Sequence, residues 1–142
     1  MRWNEMKIAV AIDGSENAMR AAEHAVFLVR NLPDTVLDII FVADLSKAMD
    51  ERLLTQTPES MALKREQKVH PVLKMVEEAD IYSELTTLKG NPSQEIIKHV
   101  NASGTDLLVM GSRGLNAFQE MVLGSVSHKV LKHANCPVTV VK

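Results

Sequence analysis

The segment from Gly111 to Ser127 carries residue types suited to holding phosphate. It reads Gly111-Ser112-Arg113-Gly114, then nine further residues, then Gly124-Ser125-Val126-Ser127. It follows a short apolar run and opens a helical pattern. Gly111 and Gly114 let the backbone turn sharply and approach a ligand with no Cβ in the way, and Gly124 does the same before the helix. The free N–H groups at that helix start, over Ser125, Val126 and Ser127, then point at an anion, and the helix dipole favours negative charge there. The hydroxyls of Ser125 and Ser127 add donors for phosphate oxygens. No G-x-x-x-x-G-K-[ST] run occurs, so the usual phosphate lysine is missing. The first strand ends in Asp13-Gly14-Ser15 rather than in G-x-G-x-x-G. A mononucleotide is therefore a better ligand than a redox dinucleotide.

Other chemistry is thinly represented. His24, His70, His99, His128 and His133 show no metal spacing such as H-E-x-x-H and read as surface or boundary residues. Cys136, beside Pro137 and just before a strand, reads as buried and inert, with no activating arrangement in view. There is no G-x-S-x-G elbow, no paired-carboxylate motif and no assignable triad. Bound ATP with Mg²⁺ is expected to hydrolyse weakly at most, because no general base can be named. Binding or sensing is favoured over efficient catalysis.

The elements that must position the glycine segment follow from periodicity. Lys7 to Ile12 is a short apolar strand of the buried parallel kind, stopped by Asp13-Gly14-Ser15. Ser15 is placed to cap a helix with Ala18, Ala21, Ala22, Ala25 and Val29 on one face, ended by Pro33-Asp34. Val36 to Val42 is the second strand. Ala43 to Ser60 is polar and weakly patterned, with a short helical turn expected around Met49 to Leu54. Pro58 starts a long helix whose stripe is Val69, Val72, Leu73 and Val76, with a kink or break expected near Pro71. Ile81 to Leu88 is the third strand. Gly90-Asn91-Pro92 turns into a helix burying Ile96, Ile97 and Val100, closed by Ser103-Gly104. Asp106 to Met110 is the fourth strand. The last helix runs from about Ser125 to Ala134 with Val126, Val130 and Leu131 inward, and Val138 to Val141 is the final strand. Residues 115–123 link the two halves of the glycine segment and could serve as a mobile flap. Alternating strands and helices imply an α/β fold: a doubly wound parallel sheet of five strands with helices on both faces.

A chain of 142 residues suggests one domain spanning 1–142, large enough to bury a core without disulfides. Sixteen basic and 18 acidic residues, with no run of like charge, give no case for nucleic-acid or membrane binding. Aromatic residues make up only 4%, too few for base-stacking platforms. The single cysteine, the lack of a signal-peptide pattern and the lack of an 18-residue apolar run lead us to expect a cytoplasmic protein without membrane insertion.

The sequence resembles the universal stress protein family along essentially its whole length. The resemblance rests on KIAVAIDGS, the Gly90-Asn91-Pro92 turn, TDLLVMGSRG and LGSVSHKVLKHANCPVTVVK. The pattern of that family's ATP-binding branch, G, two residues, G, nine residues, G, then Ser or Thr, is matched in full by Gly111, Gly114, Gly124 and Ser125. The resemblance implies strand order 3-2-1-4-5, a Rossmann-like arrangement, and ATP or a related adenine nucleotide as ligand. It implies Asp13 near ribose and phosphates, Ile12 near adenine, a backbone contact from Val42 to the adenine edge, Met110 lining the pocket and Arg113 near phosphate. In such a sheet the ligand cleft lies where strand order reverses, between the first and fourth strands. The resemblance also implies a homodimer through Val138 to Val141. Pro137 at the start of that short, uncharged strand independently suits an edge. The expected function is an ATP-binding stress-response regulator whose nucleotide state alters contact with a protein partner. The alternatives are an enzyme, as a slow ATPase or nucleotidyl transferase, and a dimerising scaffold without nucleotide.

Overall fold

The computed structural model describes residues 5–44, 57–114 and 123–142. The helical turn expected over Met49 to Leu54 and residues 115–122 of the expected flap lie outside them. The elements run β1 (Met6–Ile12), α1 (Glu16–Asn31), β2 (Thr35–Asp44), α2 (Pro58–Ala79), β3 (Ser83–Gly90), α3 (Pro92–Ala102), β4 (Leu107–Gly111), α4 (Ser125–His133) and β5 (Val138–Val141). All strand pairs are parallel, and the order is β3-β2-β1-β4-β5. This is the doubly wound order expected, with β1 at the centre and its neighbours added outward on both sides.

Strand alternation divides the core in two. Ile8, Val10 and Ile12 of β1 join Leu37 and Ile39 of β2 beneath α1 and α2. Ala9 and Ala11 face the other way, with Ile40, beneath α3 and α4. Both faces of β1 are covered from Ile8 to Ile12, and that stretch is apolar rather than alternating. Helix α1 presents Ala18, Ala21, Ala22 and Ala25, all buried, and these small side chains let it lie close on the sheet. Among the described residues no helix is long and apolar enough to cross a membrane.

Three details depart from expectation. Helix α2 continues through Pro71 without a break. Pro71 and Gln67, whose carbonyl loses its i+4 donor, are both exposed, so water can take over the freed acceptor. Leu73, placed in the inward stripe, is exposed; Val69, Val72 and Val76 are buried, with Met75 packed beside them. Leu131 is likewise exposed on α4, a short helix that buries only Ser127 and Val130. In both cases the buried stripe is narrower than the run of apolar residues.

Strand boundaries also shift slightly. β3 starts at Ser83 rather than Ile81, and Ile81 packs against the α1 side of the core. Asp106 precedes β4 and clamps it to β1. Its carboxylate accepts the Lys7 N–H at 2.8 Å, and its own N–H donates to the Lys7 carbonyl at 2.9 Å.

Candidate functional site

At the carboxyl edge of the sheet, β4 ends in Gly111 and the chain enters the loop that leads to α4. Ser112, only 4% exposed, organises this loop. Its N–H donates to the Val141 carbonyl at 2.7 Å, and its carbonyl accepts the Gly124 N–H at 2.7 Å. Its hydroxyl oxygen accepts the side-chain N–H of Asn17 at 2.9 Å. The two halves of the glycine segment are thus joined directly, with Gly124 drawn onto the residue that follows Gly111.

Helix α4 starts differently from the other three described helices. Ser15, Thr57 and Asn91 each accept a first-turn N–H on a side-chain oxygen, which satisfies part of the helix start. Helix α4 has Gly124 at the cap and no side-chain cap. Its intrahelical bonding begins with His128 N–H to the Gly124 carbonyl at 3.0 Å. The N–H groups of Ser125, Val126 and Ser127 therefore have no intrahelical acceptor. Ser127 is buried, and its hydroxyl donates to the Gly111 carbonyl at 2.8 Å. That proton, expected to be free for phosphate, instead ties the helix to the end of β4. Ser125 is exposed.

The distant half of the site converges on the same place. Val10 of β1 lies opposite Val109 of β4, so the ends of the two strands reach the edge together. The Asp13 carboxylate accepts the Ser15 N–H at 2.9 Å, and a Cβ built on Gly114 would stand 2.6 Å from Asp13 Oδ2. Residues a hundred positions apart are in contact. Arg113 is half-buried in the same loop. Val42, half-buried, lies one residue beyond Phe41, which pairs with Ile12. Ile12 and Met110 lie nearly covered, on opposite faces of the sheet, so each offers the edge only a small surface.

The motif glycines do not share one role. A Cβ at Gly111 would lie 2.8 Å from Asn17 Cβ and 2.9 Å from the Asn17 backbone carbon, so glycine there lets α1 approach β4. Gly114 makes room for Asp13. Neither has a positive φ, so the bend at Ser112 and Arg113 does not itself demand glycine on either side of it. At Gly124 the nearest atom to a Cβ would be Arg113 Cα at 3.4 Å, close to ordinary contact, and φ is −71°. Among the described residues no contact forbids a Cβ at that position.

The arrangement suits a polyphosphate: uncapped N–H groups, half-buried Arg113 and a single carboxylate, Asp13, at the adjoining strand end. Mg²⁺ is commonly held by one or two carboxylates together with substrate phosphates, and Asp13 fits that need. Among the described residues no group of three or more His, Cys, Asp or Glu is placed to hold a metal without such help. A depression of about 300 Å³ lies at the opposite, amino end of the sheet, lined by Arg30, Thr35, Asp80 and Tyr82 among others. The strand-order rule and the uncapped helix both favour the carboxyl edge instead.

Two polar groupings went unseen in the sequence. One is the Asn17–Ser112 pair and its extension to Arg20. The other is Asp38, 4% exposed in the middle of β2, which accepts from Thr86 at 2.6 Å and meets His99 Nε2 at 2.7 Å. An aspartate inside the apolar run Val36 to Val42 was its available signal. Cys136 is half-buried, and burial pushes its thiol pKa up, Asp106 adding in the same direction against main-chain hydrogen bonds at Cys136 and Leu108.

A family model described as the universal stress protein family matches residues 6–142. The universal stress protein YxiE of Bacillus subtilis is 34% identical over 147 residues, covering 96% of this chain and 98% of YxiE. The solved structure of MJ0577 of Methanocaldococcus jannaschii superposes with a TM-score of 0.84 at 28% identity, covering 96% of this chain and 95% of that one. A family protein of Arabidopsis thaliana with AMP bound superposes with a TM-score of 0.68 at 24% identity, covering 96% and 91%.

Proposed function

The chain belongs to the universal stress protein family, and we propose that it binds ATP or a related adenine nucleotide, with Mg²⁺, at the carboxyl edge of its sheet. The observation that carries this reading is the helix start at Gly124. It has no side-chain cap, and among the described residues no atom stands closer than 3.4 Å to a Cβ built on its glycine. Phosphate oxygens would accept from the N–H groups of Ser125, Val126 and Ser127, as at other anion-binding helix starts. Arg113 would add charge, Asp13 would face ribose and metal, and Ile12, Val42 and Met110 would form the adenine side. The Arabidopsis protein of the same fold carries AMP, a ligand of this class.

The biological reading is a cytoplasmic stress-response regulator whose nucleotide state alters its contact with a protein partner. We further assign a homodimer joined through β5. That strand pairs only with β4, and its four residues are each only half-buried. Mass spectrometry of ligand released from freshly purified protein, followed by calorimetry with ATP-Mg²⁺ on stripped protein, tests the nucleotide reading. No released nucleotide and no heat at about millimolar ATP, roughly 4 kcal/mol of binding free energy, would overturn it.

A further inference from the structure

We propose that Asn17, through Arg20, is a positioning residue that couples occupancy of the nucleotide loop to the order of the β5 end. The inference rests on the nucleotide reading above and goes beyond it, because neither residue belongs to the glycine pattern.

A closed ring of hydrogen bonds carries the argument. Asn17 is 8% exposed and Ser112 4% exposed, so both are buried polar side chains that need partners. The Asn17 amide donates to the Ser112 hydroxyl, and its carbonyl accepts from an Arg20 terminal nitrogen. Arg20 Nε donates in turn to the Lys142 main-chain oxygen at 2.7 Å. Ser112 N–H returns the ring to Val141 at 2.7 Å. The last two carbonyls of the chain are thus gripped by two groups that meet at Asn17.

The same ring touches the candidate site at two points. Ser112 holds the Gly124 N–H, and so the start of the uncapped helix. Asn17 also packs against Gly111 so closely that no Cβ fits between them. A ligand that binds residues 111–114 and 123–127 therefore fixes Ser112, which lowers the freedom of Asn17 and of both main-chain oxygens at the end of β5. Linkage requires the reverse as well: whatever orders the β5 end strengthens nucleotide binding by the same factor. A second chain pairing along β5 is such an event. The nucleotide and the dimer edge then report on each other through a side chain of α1.

Hydrogen exchange on the full chain, with and without saturating ATP-Mg²⁺, tests this. In the unsubstituted protein the amides of Thr139 to Lys142 are expected to slow by about threefold or more on binding, alongside those of the loop. In Arg20→Met, at an exposed helix position, that slowing should shrink to what the direct Ser112–Val141 bond transmits, while ATP affinity falls by only a few-fold. In Asn17→Ala it should shrink likewise, with a loss of affinity of about tenfold. A purely structural role would change exchange equally in both states and leave the difference intact. Three results overturn the inference: ATP binding with slowing confined to residues 111–127, slowing at β5 that is undiminished in Arg20→Met, or no ATP binding at all. The third also removes the nucleotide reading, whereas the first two leave it standing. Should Asn17→Ala fail to fold, Arg20→Met and its reversal toward wild-type behaviour in Arg20→Lys carry the test.

Discussion

Replacing Gly111 by alanine and, separately, Gly124 by alanine should separate two properties that one sequence pattern joins. At Gly111 the added methyl would stand 2.8 Å from Asn17 Cβ and 2.9 Å from a backbone carbon. Carbon contacts settle at about 3.5–4.0 Å, so α1 or β4 must yield by most of an ångström. Backbone cannot swing aside like a side-chain tip, and α1 is pinned by four buried alanines. The cost should fall in the upper part of the overpacking range, about 2–3 kcal/mol. For a chain of this length that corresponds to a fall in Tm of roughly 6–12 °C. At Gly124 the nearest atom is 3.4 Å away and the backbone angles suit alanine. Only the cap preference is lost, about 0.5–1 kcal/mol, or roughly 2–4 °C.

Nucleotide binding should rank the other way. The Gly124 methyl would stand against Arg113 and Gly114 at the start of α4, so under the proposed nucleotide reading Gly124→Ala should weaken ATP binding about tenfold or more. Thermal unfolding by circular dichroism and calorimetry with ATP-Mg²⁺, on both variants, read the two axes. Loss of stability in Gly124→Ala equal to that in Gly111→Ala would refute the assignment of roles. So would unchanged ATP affinity in Gly124→Ala.

Four further outcomes follow from particular contacts. His99→Leu should cost about 3 kcal/mol in urea unfolding at neutral pH, because Asp38 stays buried with its hydrogen bond from Thr86 but without His99, and adding Asp38→Leu should recover most of that loss; a single variant as stable as wild type would disprove the pairing. Cys136 should react slowly with thiol reagents at neutral pH and speed up only above the ordinary thiol range, since burial raises its pKa. With the folded pKa raised, its contribution to stability is complete below the unfolded value and is lost as pH climbs through the folded one; fast labelling at neutral pH contradicts this. Gly14→Ala should cost about 1–2 kcal/mol, because φ there is +87° and the Lys68 stem lies 2.8 Å from the added methyl. Adding Lys68→Ala should remove the clash and leave the strain, so full recovery in thermal melts counts against a backbone cause. Removing residues 137–142 should give monomers or aggregate by light scattering; an unchanged dimer excludes β5 as the joint.

The parts of this molecule that were readable from sequence are those with a local signature. Apolar runs such as KIAVAI and the alanine face of α1 stated their elements directly, and Ser15 announced its cap. The glycine spacing located the β4–α4 loop. Elements and loop could be joined only through a topological rule, the reversal of strand order between β1 and β4, because no local feature of Asp13 points to Gly114. Where the reading failed, local apolarity exceeded what the neighbours could cover: Leu73 and Leu131 are as hydrophobic as the buried residues beside them, yet they stay partly exposed.

The polar groups that hold the site in place carried no such signature. Asn17 reads as one more residue of a helix start, Arg20 as a solvated charge and Ser112 as the variable position between a glycine and an arginine. Their partners lie 95 and 122 positions away, and only the assembled sheet brings them together. The glycines share in this. Gly111 looked like a ligand contact because glycine spacing is what a nucleotide motif displays. In the fold it is fixed by the approach of α1, and that close approach is what lets Asn17 reach Ser112. The pattern therefore records room for a helix behind the loop at Gly111, and under the proposed reading room for a ligand in front of it as well. At Gly124 no described residue forbids a Cβ, so under the proposed nucleotide reading substitutions there, rather than at Gly111, give the cleaner measure of what the site binds.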